Sequence, residues 1–258
     1  MGGEHDVQPV SEDYSVSPNR SAPVPPLIAM QEKGNKKEEE MTLIVGARCH
    51  DGIILTADRR RLAKYEKGPE TNKLFKPDCG VVLAGAGDDA VLNEARVFIE
   101  RRVEESDRQS PNMNLFDIVE VAAGVVNELV SLYRDKVEEP FGFVLAGLEN
   151  VTSGTAKLYT IFGAGLSDVA WACLGSGSSY ARPLVELLLS PGTLSIDDTA
   201  KTIPVLFALV SNVQTTVGGG VDICIIKDGE VTSKIQHFGD VDLQPLRASI
   251  LNTIGIRA

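Results

Sequence analysis

The stretch that decides the fold reads Thr42-Leu-Ile-Val-Gly-Ala-Arg-Cys-His-Asp-Gly-Ile-Ile-Leu-Thr-Ala-Asp-Arg-Arg60. Its two apolar runs, residues 43–47 and 53–57, are rich in aliphatic side chains and flank a His-Asp-Gly turn. An Asp-Gly dipeptide between apolar runs is a strong hairpin signal. The stretch therefore predicts an antiparallel hairpin that carries the Thr42 hydroxyl at one end and the Asp58 carboxylate at the other.

The rest of the domain alternates between strand-like and helix-like patterns. Strands are predicted at residues 73–75, 80–85, 141–148, 156–162, 169–174, 221–226 and 230–237, and helices at residues 88–105, 114–135, 178–189 and 196–213. Asp88 or Asp89 is expected to cap the first of these helices. Because short turns join the strand pairs, the sheets are expected to be antiparallel. Two helix pairs separated by strands then predict an α+β fold, a four-layer αββα sandwich of two antiparallel sheets.

Three segments are expected along the chain. Residues 1–41 are rich in Pro, Ser, Asn and acidic side chains and show no apolar period, which predicts a disordered extension or a propeptide. Residues 42–240 are expected to form the folded domain, and residues 241–258 a C-terminal tail. Met41 is also a candidate alternative start, whose removal would expose Thr42.

The composition limits the classes of function. With a formal net charge of −11 and a pI of about 4.8, the protein is expected to repel nucleic acid and anionic lipid. Three scattered histidines offer no metal site or Ser-His-Asp triad, and the separated cysteines predict reduced thiols without a disulfide framework: Cys49, Cys79, Cys173 and Cys224. No apolar run approaches the roughly 20 residues that span a bilayer, and no secretory signal is recognised. We therefore expect a cytoplasmic protein without a metal or other cofactor.

Six short motifs occur in a characteristic order and coincide with predicted element boundaries. They are Thr42-Leu-Ile-Val-Gly, Asp51-Gly-Ile-Ile-Leu-Thr-Ala-Asp58-Arg-Arg60, Asn72-Lys73-Leu-Phe, Leu83-Ala-Gly85, Gly175-Ser-Gly-Ser178 and Gly218-Gly-Gly-Val-Asp222. Through this set, residues 42–229 resemble a β-type subunit of the 20S proteasome family, as a divergent archaeal or bacterial member. That family is the threonine-peptidase branch of the N-terminal-nucleophile (Ntn) hydrolases. The run that usually marks α-type subunits is absent before the first strand.

The resemblance implies a catalytic role for four residues. Thr42 would be the nucleophile, Lys73 its positive neighbour, Asp58 the acid that orients Lys73, and Gly85 the amide that donates to the oxyanion. The chemistry is sound, because a free α-amine with a pKa of about 7.7–8 can accept the hydroxyl proton near neutral pH. A neighbouring ammonium would lower the pKa of that amine. Removal of residues 1–41 would then give a threonine-type endopeptidase.

Each residue taken alone has a simpler interpretation. Thr42 is more often an ordinary strand residue, Asp58 a turn residue at a strand end, and Lys73 a solvated charge. Ser176, between two glycines, is more often a helix N-cap than a catalytic group, although the resemblance places it beside the nucleophile and so adds it to the predicted catalytic residues. Arg60 either braces the site through charge pairing or lies at the surface. The catalytic interpretation depends on their combination in the family spacing.

The resemblance also implies a substrate and an assembly. The substrate would be a polypeptide or peptide that binds as an added strand. The backbones of Leu62, Gly85 and Gly87 would border its cleft, and Leu83 would help to line an apolar specificity pocket. The protein would assemble as stacked rings, homo-oligomeric or with α-type subunits, whose sites face an inner chamber.

Three departures from the family pattern leave alternatives open. Gln214 and Val217 stand where an Asp and a Ser usually support the amine of the nucleophile. Met41 stands where self-processing members carry Gly, and the loop from Asp58 to Lys73 is one residue short. One alternative is a catalytically silent structural subunit. The other is an Ntn acyltransferase, which would pass the acyl group to an amine instead of water.

Overall fold

The computed structural model describes residues 42–60, 62–63, 66–67, 72–76, 81–111, 113–133, 141–149, 155–162, 165–189, 192–228 and 230–236. The predicted extension at residues 1–41, the predicted tail at residues 241–258 and Cys79 lie outside this set. The other three cysteines are free, with Cys173 and Cys224 buried and Cys49 half-buried.

The described chain contains strands β1 (Ile44–Cys49), β2 (Gly52–Asp58), β3 (Leu62–Ala63), β4 (Glu66–Lys67), β5 (Leu74–Phe75), β6 (Val82–Ala86), β7 (Gly142–Leu148), β8 (Ala156–Phe162), β9 (Gly165–Asp168), β10 (Trp171–Leu174), β11 (Val221–Lys227) and β12 (Glu230–Gln236). Its helices are α1 (Asp89–Gln109), α2 (Leu115–Tyr133), α3 (Ser178–Leu188) and α4 (Ile196–Val213). None of these helices combines the length and the apolar character that a membrane span requires.

The strands form two five-stranded antiparallel sheets and a separate small hairpin. The first sheet has the order β10-β1-β2-β11-β12, the second β5-β6-β7-β8-β9, and β3 pairs with β4. In the predicted hairpin, β1 and β2 are in the register Val45↔Thr56, and Asp58 is the last residue of β2. The pairing of β2 with β11 on its other side makes it the central strand of the first sheet.

Three apolar clusters separate four layers. Between the sheets, side chains such as Ile44 and Leu55 of the first sheet meet Val82 and Val144 of the second. Helices α1 and α2 cover the outer face of the second sheet, and α3 and α4 cover that of the first. Because β2 is covered on both faces, six of its seven residues are buried. The predicted α+β fold, a four-layer αββα sandwich of two antiparallel sheets, is confirmed.

The helix that follows β6 begins where the sequence indicates. The Asp88 side chain accepts hydrogen bonds from the amides of Ala90 (2.8 Å) and Val91 (3.2 Å), so Asp88, not Asp89, is the N-cap of α1. This cap satisfies two of the amides that a helix N-terminus leaves without partners. The turn before it brings α1 back along β6, so that the first two turns of the helix lie beside the end of that strand.

The sequence patterns missed three strands. Strands β3 and β4 have two residues each, which is too short for an alternating pattern to be recognised. Strand β9 is mostly exposed and lies at the edge of the second sheet, so it lacks the buried apolar positions that mark a strand. The prediction of a strand starting at residue 169 was also too early, since β10 begins at Trp171.

Candidate active site

Asp58 lies at the centre of a hydrogen-bond network at the end of β2. Its Oδ1 accepts from the Leu43 amide and from Lys73 Nζ, both at 2.9 Å. Its Oδ2 accepts from the amides of Arg60 (3.2 Å) and Gly218 (3.3 Å). The Asp58 side chain is fully buried, and that of Lys73 is only 12% exposed. The sequence prediction that Asp58 orients Lys73 thus has a geometric basis in a buried ion pair.

Burial and the neighbouring donors have opposite effects on the pKa of the Asp58 carboxyl. Burial raises the pKa of the Asp58 carboxyl, whereas the Lys73 ammonium and the amides of Leu43 and Gly218 act to lower that pKa. The described groups that hydrogen-bond to the two oxygens are all donors, which favours the ionised carboxylate as their acceptor. Lys73 Nζ also donates to the Arg60 carbonyl at 2.8 Å. Two acceptors therefore fix the position of the ammonium.

Thr42 is held by the glycine-containing turn that precedes α3. The Thr42 carbonyl accepts from the Gly177 amide at 3.3 Å. Gly175 has a φ of +88°, and a Cβ built on it would overlap the Thr42 carbonyl oxygen. Only glycine suits both conditions. The Gly-Ser-Gly-Ser motif therefore fixes the backbone of Thr42, which is itself 7% exposed.

This packing gives a first testable prediction. Gly175→Ala should destabilise the protein by about 1–3 kcal/mol, because the new methyl group strains the backbone and displaces the Thr42 carbonyl. Turnover of peptides should fall as well, since the Thr42 hydroxyl moves with its backbone. Urea unfolding and peptide hydrolysis measure the two effects.

The matched control is Gly124→Ala in α2, where a Cβ would contact nothing within 4 Å. Alanine is favoured over glycine in a helix by about 0.8–1 kcal/mol, so this variant should be slightly more stable and equally active. A Gly175→Ala protein as stable and as active as wild type would show that the turn does not hold Thr42.

Thr42, Lys73, Leu83 and Gly85 line one pocket, which holds about 210 Å³ of space for water. The structure thus brings together the predicted nucleophile, its cation, the predicted oxyanion donor and a predicted pocket residue. At Gly85 a Cβ would come within 2.8 Å of both Leu92 Cδ2 and Phe143 Cε1. Packing against these two side chains is therefore a reason for glycine at position 85 that the sequence did not suggest.

Other predicted site residues are placed differently. Gly87 lies in the turn before α1 and outside the lining of this pocket. Leu62 begins β3 and pairs with Lys67, and its side chain is outside the part of the structure that is described. Interpreting Ser176 as a helix N-cap was wrong, because Gly177 occupies that position in α3. The Ser176 hydroxyl oxygen is buried without a hydrogen-bond partner among the described residues.

Arg60 contacts backbone groups of the turn that follows α4. Its guanidinium packs against Gly218 and donates through Nη1 to the Thr215 carbonyl, and its amide donates to the Gly218 carbonyl at 2.8 Å. The neighbouring Arg59 forms an ion pair with Asp222 at 2.6 Å, with both side chains largely buried. Asp222 belongs to the Gly218-Gly-Gly-Val-Asp222 motif, but no role was predicted for it. Its position after three glycines was the available signal.

Gln214 and Val217, which depart from the family pattern, lie in the same turn at the C-terminal end of α4. Gln214 is the C-cap of α4, and its carbonyl accepts from the Val217 amide at 3.1 Å. Val217 is fully buried and lies beside Gly177, where a Cβ would meet Val217 Cγ2 at 2.8 Å. An apolar side chain therefore fills the position at which the resemblance implies a serine.

Helix α1 supplies a wall of the pocket that was not predicted from the sequence. Leu92, Asn93 and Arg96 contribute to this wall, and Phe143 of β7 lies across from it. Their roles depend on how α1 packs on the second sheet, which periodicity alone does not specify. Among the described residues, no group of three or more His, Cys, Asp or Glu side chains could hold a metal ion.

Known protein families and relatives match most of the chain. A family model described as "Proteasome subunit" matches residues 40–226. A Methanococcus maripaludis (strain C5) protein named "Proteasome subunit alpha" is 26% identical over 197 residues, which is 75% of this chain and 73% of that protein. A Thermococcus gammatolerans protein named "Proteasome subunit beta 1" is 27% identical over 161 residues, which is 62% of this chain and 76% of that protein.

A solved structure shows the same fold. It is that of an Anbu (Gly-1) mutant from Hyphomicrobium sp. strain MC1, with a TM-score of 0.69 and 19% sequence identity. The match covers 84% of this chain and 98% of that one. At this identity the likeness supports the fold alone, and the chemistry has to be argued from the site.

Proposed function

Because the chain belongs to the proteasome subunit family, we propose that it is a threonine-type endopeptidase whose nucleophile is Thr42, exposed by removal of residues 1–41. The family resemblance drawn from the motifs is confirmed by the same match. One observation carries the proposal: the Lys73 ammonium, fixed 2.9 Å from Asp58 Oδ1, lines the same pocket as Thr42 and Gly85. A solvated lysine or an ordinary strand threonine would not need this arrangement.

The proposed reaction is acyl transfer through an ester. The free amine of Thr42 takes the proton of its own hydroxyl, and the oxygen attacks the carbonyl carbon of the scissile peptide bond. The C–N bond breaks, the departing amine takes the proton, and the acyl group remains on Thr42. A water molecule then gives a proton to the Thr42 amine and attacks the ester carbon. The ester C–O bond breaks, the acid is released, and the Thr42 oxygen takes the proton back from the amine.

The surrounding groups supply the electrostatics. The Lys73 ammonium disfavours a second positive charge on the Thr42 amine and stabilises negative charge on the attacking oxygen. The amide of Gly85, which lines the pocket, is the proposed donor to the oxyanion. Removing one such donor typically costs about 10²–10³ in rate. Leu62 and Gly87 are retained in the proposal as residues that border the peptide, and Ser176 as a hydroxyl beside the nucleophile.

The proposal includes an assembly and a location. Relatives are named as alpha and beta proteasome subunits, which supports assembly of this chain into a ring with copies of itself or with other subunits. The substrate would be a polypeptide or peptide that enters the chamber of the ring. The acidic composition fits the cytoplasmic location expected from the sequence.

A silent structural subunit is the second candidate, and one observation favours it. Val217 is fully buried and apolar where the resemblance implies a supporting serine. The proposed amine of Thr42 then lacks one polar neighbour, which would slow proton transfer. The archaeal relatives named "Proteasome subunit alpha" are consistent with this candidate too.

The mass of the chain in its native assembly separates the two candidates. The peptidase proposal expects a species that begins at Thr42 and hydrolyses fluorogenic peptides. A full-length chain that persists after prolonged incubation, without hydrolysis, would favour the structural subunit. Adding a peptide amine tests for the acyltransferase, because a transferred acyl group gives a new amide of distinct mass.

A further inference from the structure

The pocket beside Thr42 extends along α1, away from the proposed nucleophile. Four positions of this helix line it, and their spacing of three and four residues places them on one helical face. These positions are Asp89, Leu92, Asn93 and Arg96. The second sheet supplies the opposite wall through Leu83, Phe143 and Phe75. The pocket therefore has an apolar middle section with charged side chains toward its two ends.

Strand register and helix rise give the order of these groups. Gly85 lies beside Leu92, since its Cβ would come within 2.8 Å of Leu92 Cδ2. Phe75 pairs with Leu83, two residues before Gly85 along β6, a step of about 6.6 Å. Arg96 lies one helical turn beyond Leu92, about 6 Å along the axis, and its guanidinium lies over the Phe75 ring. Arg96 is therefore at the end of the pocket far from Gly85.

The guanidinium of Arg96 is positioned by an aromatic face. Its Cζ is 4.9 Å from the centroid of the Phe75 ring, a cation–π distance. A guanidinium held over an aromatic ring retains N–H donors for an acceptor. The contact also restricts the side chain before a ligand arrives, which reduces the entropy lost on binding.

The other charges of the pocket do not cancel that of Arg96. Lys73 is a second cation, and its charge is matched by Asp58. Among the described residues that line the pocket, Asp89 carries the carboxylate, but it lies seven residues before Arg96, about 10 Å away along the helix axis. In the first turn of α1, Asp89 interacts favourably with the helix dipole. The far end of the pocket is thus positively charged.

We propose, building on the peptidase function above, that this pocket binds the substrate side chain that precedes the scissile bond and prefers an acidic one. Arg96 is the specificity-determining residue. A glutamate has an apolar stem that packs between Leu83 and Leu92 and a carboxylate that reaches toward the guanidinium. A lysine in the same place brings a like charge to Arg96 and is disfavoured.

Hydrolysis of peptides that differ only in the residue before the scissile bond tests the proposal. Glutamate and glutamine have nearly the same shape, so their ratio of kcat/KM isolates the charge. The assembled wild-type protein should cleave the glutamate peptide faster than the glutamine or lysine peptide. Arg96→Gln should lower the Glu-to-Gln ratio about fivefold, the size of a partly exposed ion pair, and leave a leucine peptide unaffected. Arg96→Glu should favour the lysine peptide over the glutamate peptide.

Binding of the corresponding product acids is measured alongside hydrolysis. Short acetylated peptides that end in Glu, Gln or Lys should bind to the assembled protein in the same order, by calorimetry, and the order should change in the two Arg96 variants. Binding in this order without hydrolysis would support the pocket assignment and contradict the peptidase proposal. Hydrolysis with no preference for glutamate would support the peptidase proposal and contradict the pocket assignment. If neither hydrolysis nor binding were detected, both the pocket assignment and the peptidase proposal would be contradicted.

Arg102→Gln is the matched control, because it removes an arginine of the same helix outside this pocket. Arg102 forms a two-point contact with Glu128 of α2, at 2.8 and 2.6 Å. Its loss should leave every substrate ratio unchanged. A Glu-to-Gln ratio near one in the wild type, or an equal ratio in wild type and Arg96→Gln, would overturn the assignment of Arg96.

Discussion

Thr42→Ala is expected to abolish peptide hydrolysis while leaving the domain folded. The change removes only the hydroxyl and a methyl group, and the Thr42 carbonyl still accepts from the Gly177 amide. In a serine peptidase, loss of the nucleophile lowers kcat by a factor on the order of 10⁶, which brings turnover near background. Both proteins should be produced so that the chain begins at residue 42. Absence of processing then does not account for the loss.

Thr56→Ala is a suitable control for this experiment, because it removes another buried threonine hydroxyl. Thr56 Oγ1 donates to the Val45 carbonyl at 2.8 Å in the centre of the first sheet. Its loss should cost about 1–3 kcal/mol of stability but keep the activity of the folded fraction. Thr42→Ser, which retains a nucleophile, should keep part of the turnover. Normal hydrolysis by Thr42→Ala would remove Thr42 from the mechanism.

The sequence was sufficient to predict the half of the site that lies on the first hairpin and its neighbours. The apolar run of β2 placed Asp58 at the end of a buried strand, and the resemblance supplied its role, which fits the need of a buried carboxylate for a cation. The motif order placed Lys73 there, and the structure has the ion pair at 2.9 Å. The fold followed from the same patterns, since turn signals and apolar periods are local properties of the chain.

The rest depends on packing between elements that are distant in sequence. Whether Arg96 faces the pocket depends on the rotation of α1 about its axis, which the second sheet fixes through Leu83 and Phe143. Gly85 was interpreted through substrate approach, although Leu92 and Phe143 already exclude a side chain there. A single sequence contains no record of such contacts. The short strands β3 and β9 were missed for the related reason that partner strands, not their own patterns, define them.

Asp58→Asn should cause the largest loss of stability among changes at the site. The Lys73 ammonium, 12% exposed, would remain in place without its anion. An amide at position 58 would also turn a donor toward the backbone amides of Leu43 or of Arg60 and Gly218, which now donate to Asp58. Breaking a buried ion pair from one side typically costs about 3–5 kcal/mol. Peptide hydrolysis should be lost as well, because the ammonium is no longer fixed in the pocket that Thr42 lines.

The double variant Asp58→Leu with Lys73→Met separates these two effects. Replacing a buried ion pair by apolar side chains of similar size is often close to neutral, so urea unfolding should show much of the lost stability restored. The lost backbone acceptor for Leu43 and Gly218 sets a limit to this recovery. Hydrolysis should stay absent, since the proposed mechanism needs the cation itself. An active double variant would show that the ion pair serves stability alone, and would remove Lys73 and Asp58 from the proposed mechanism.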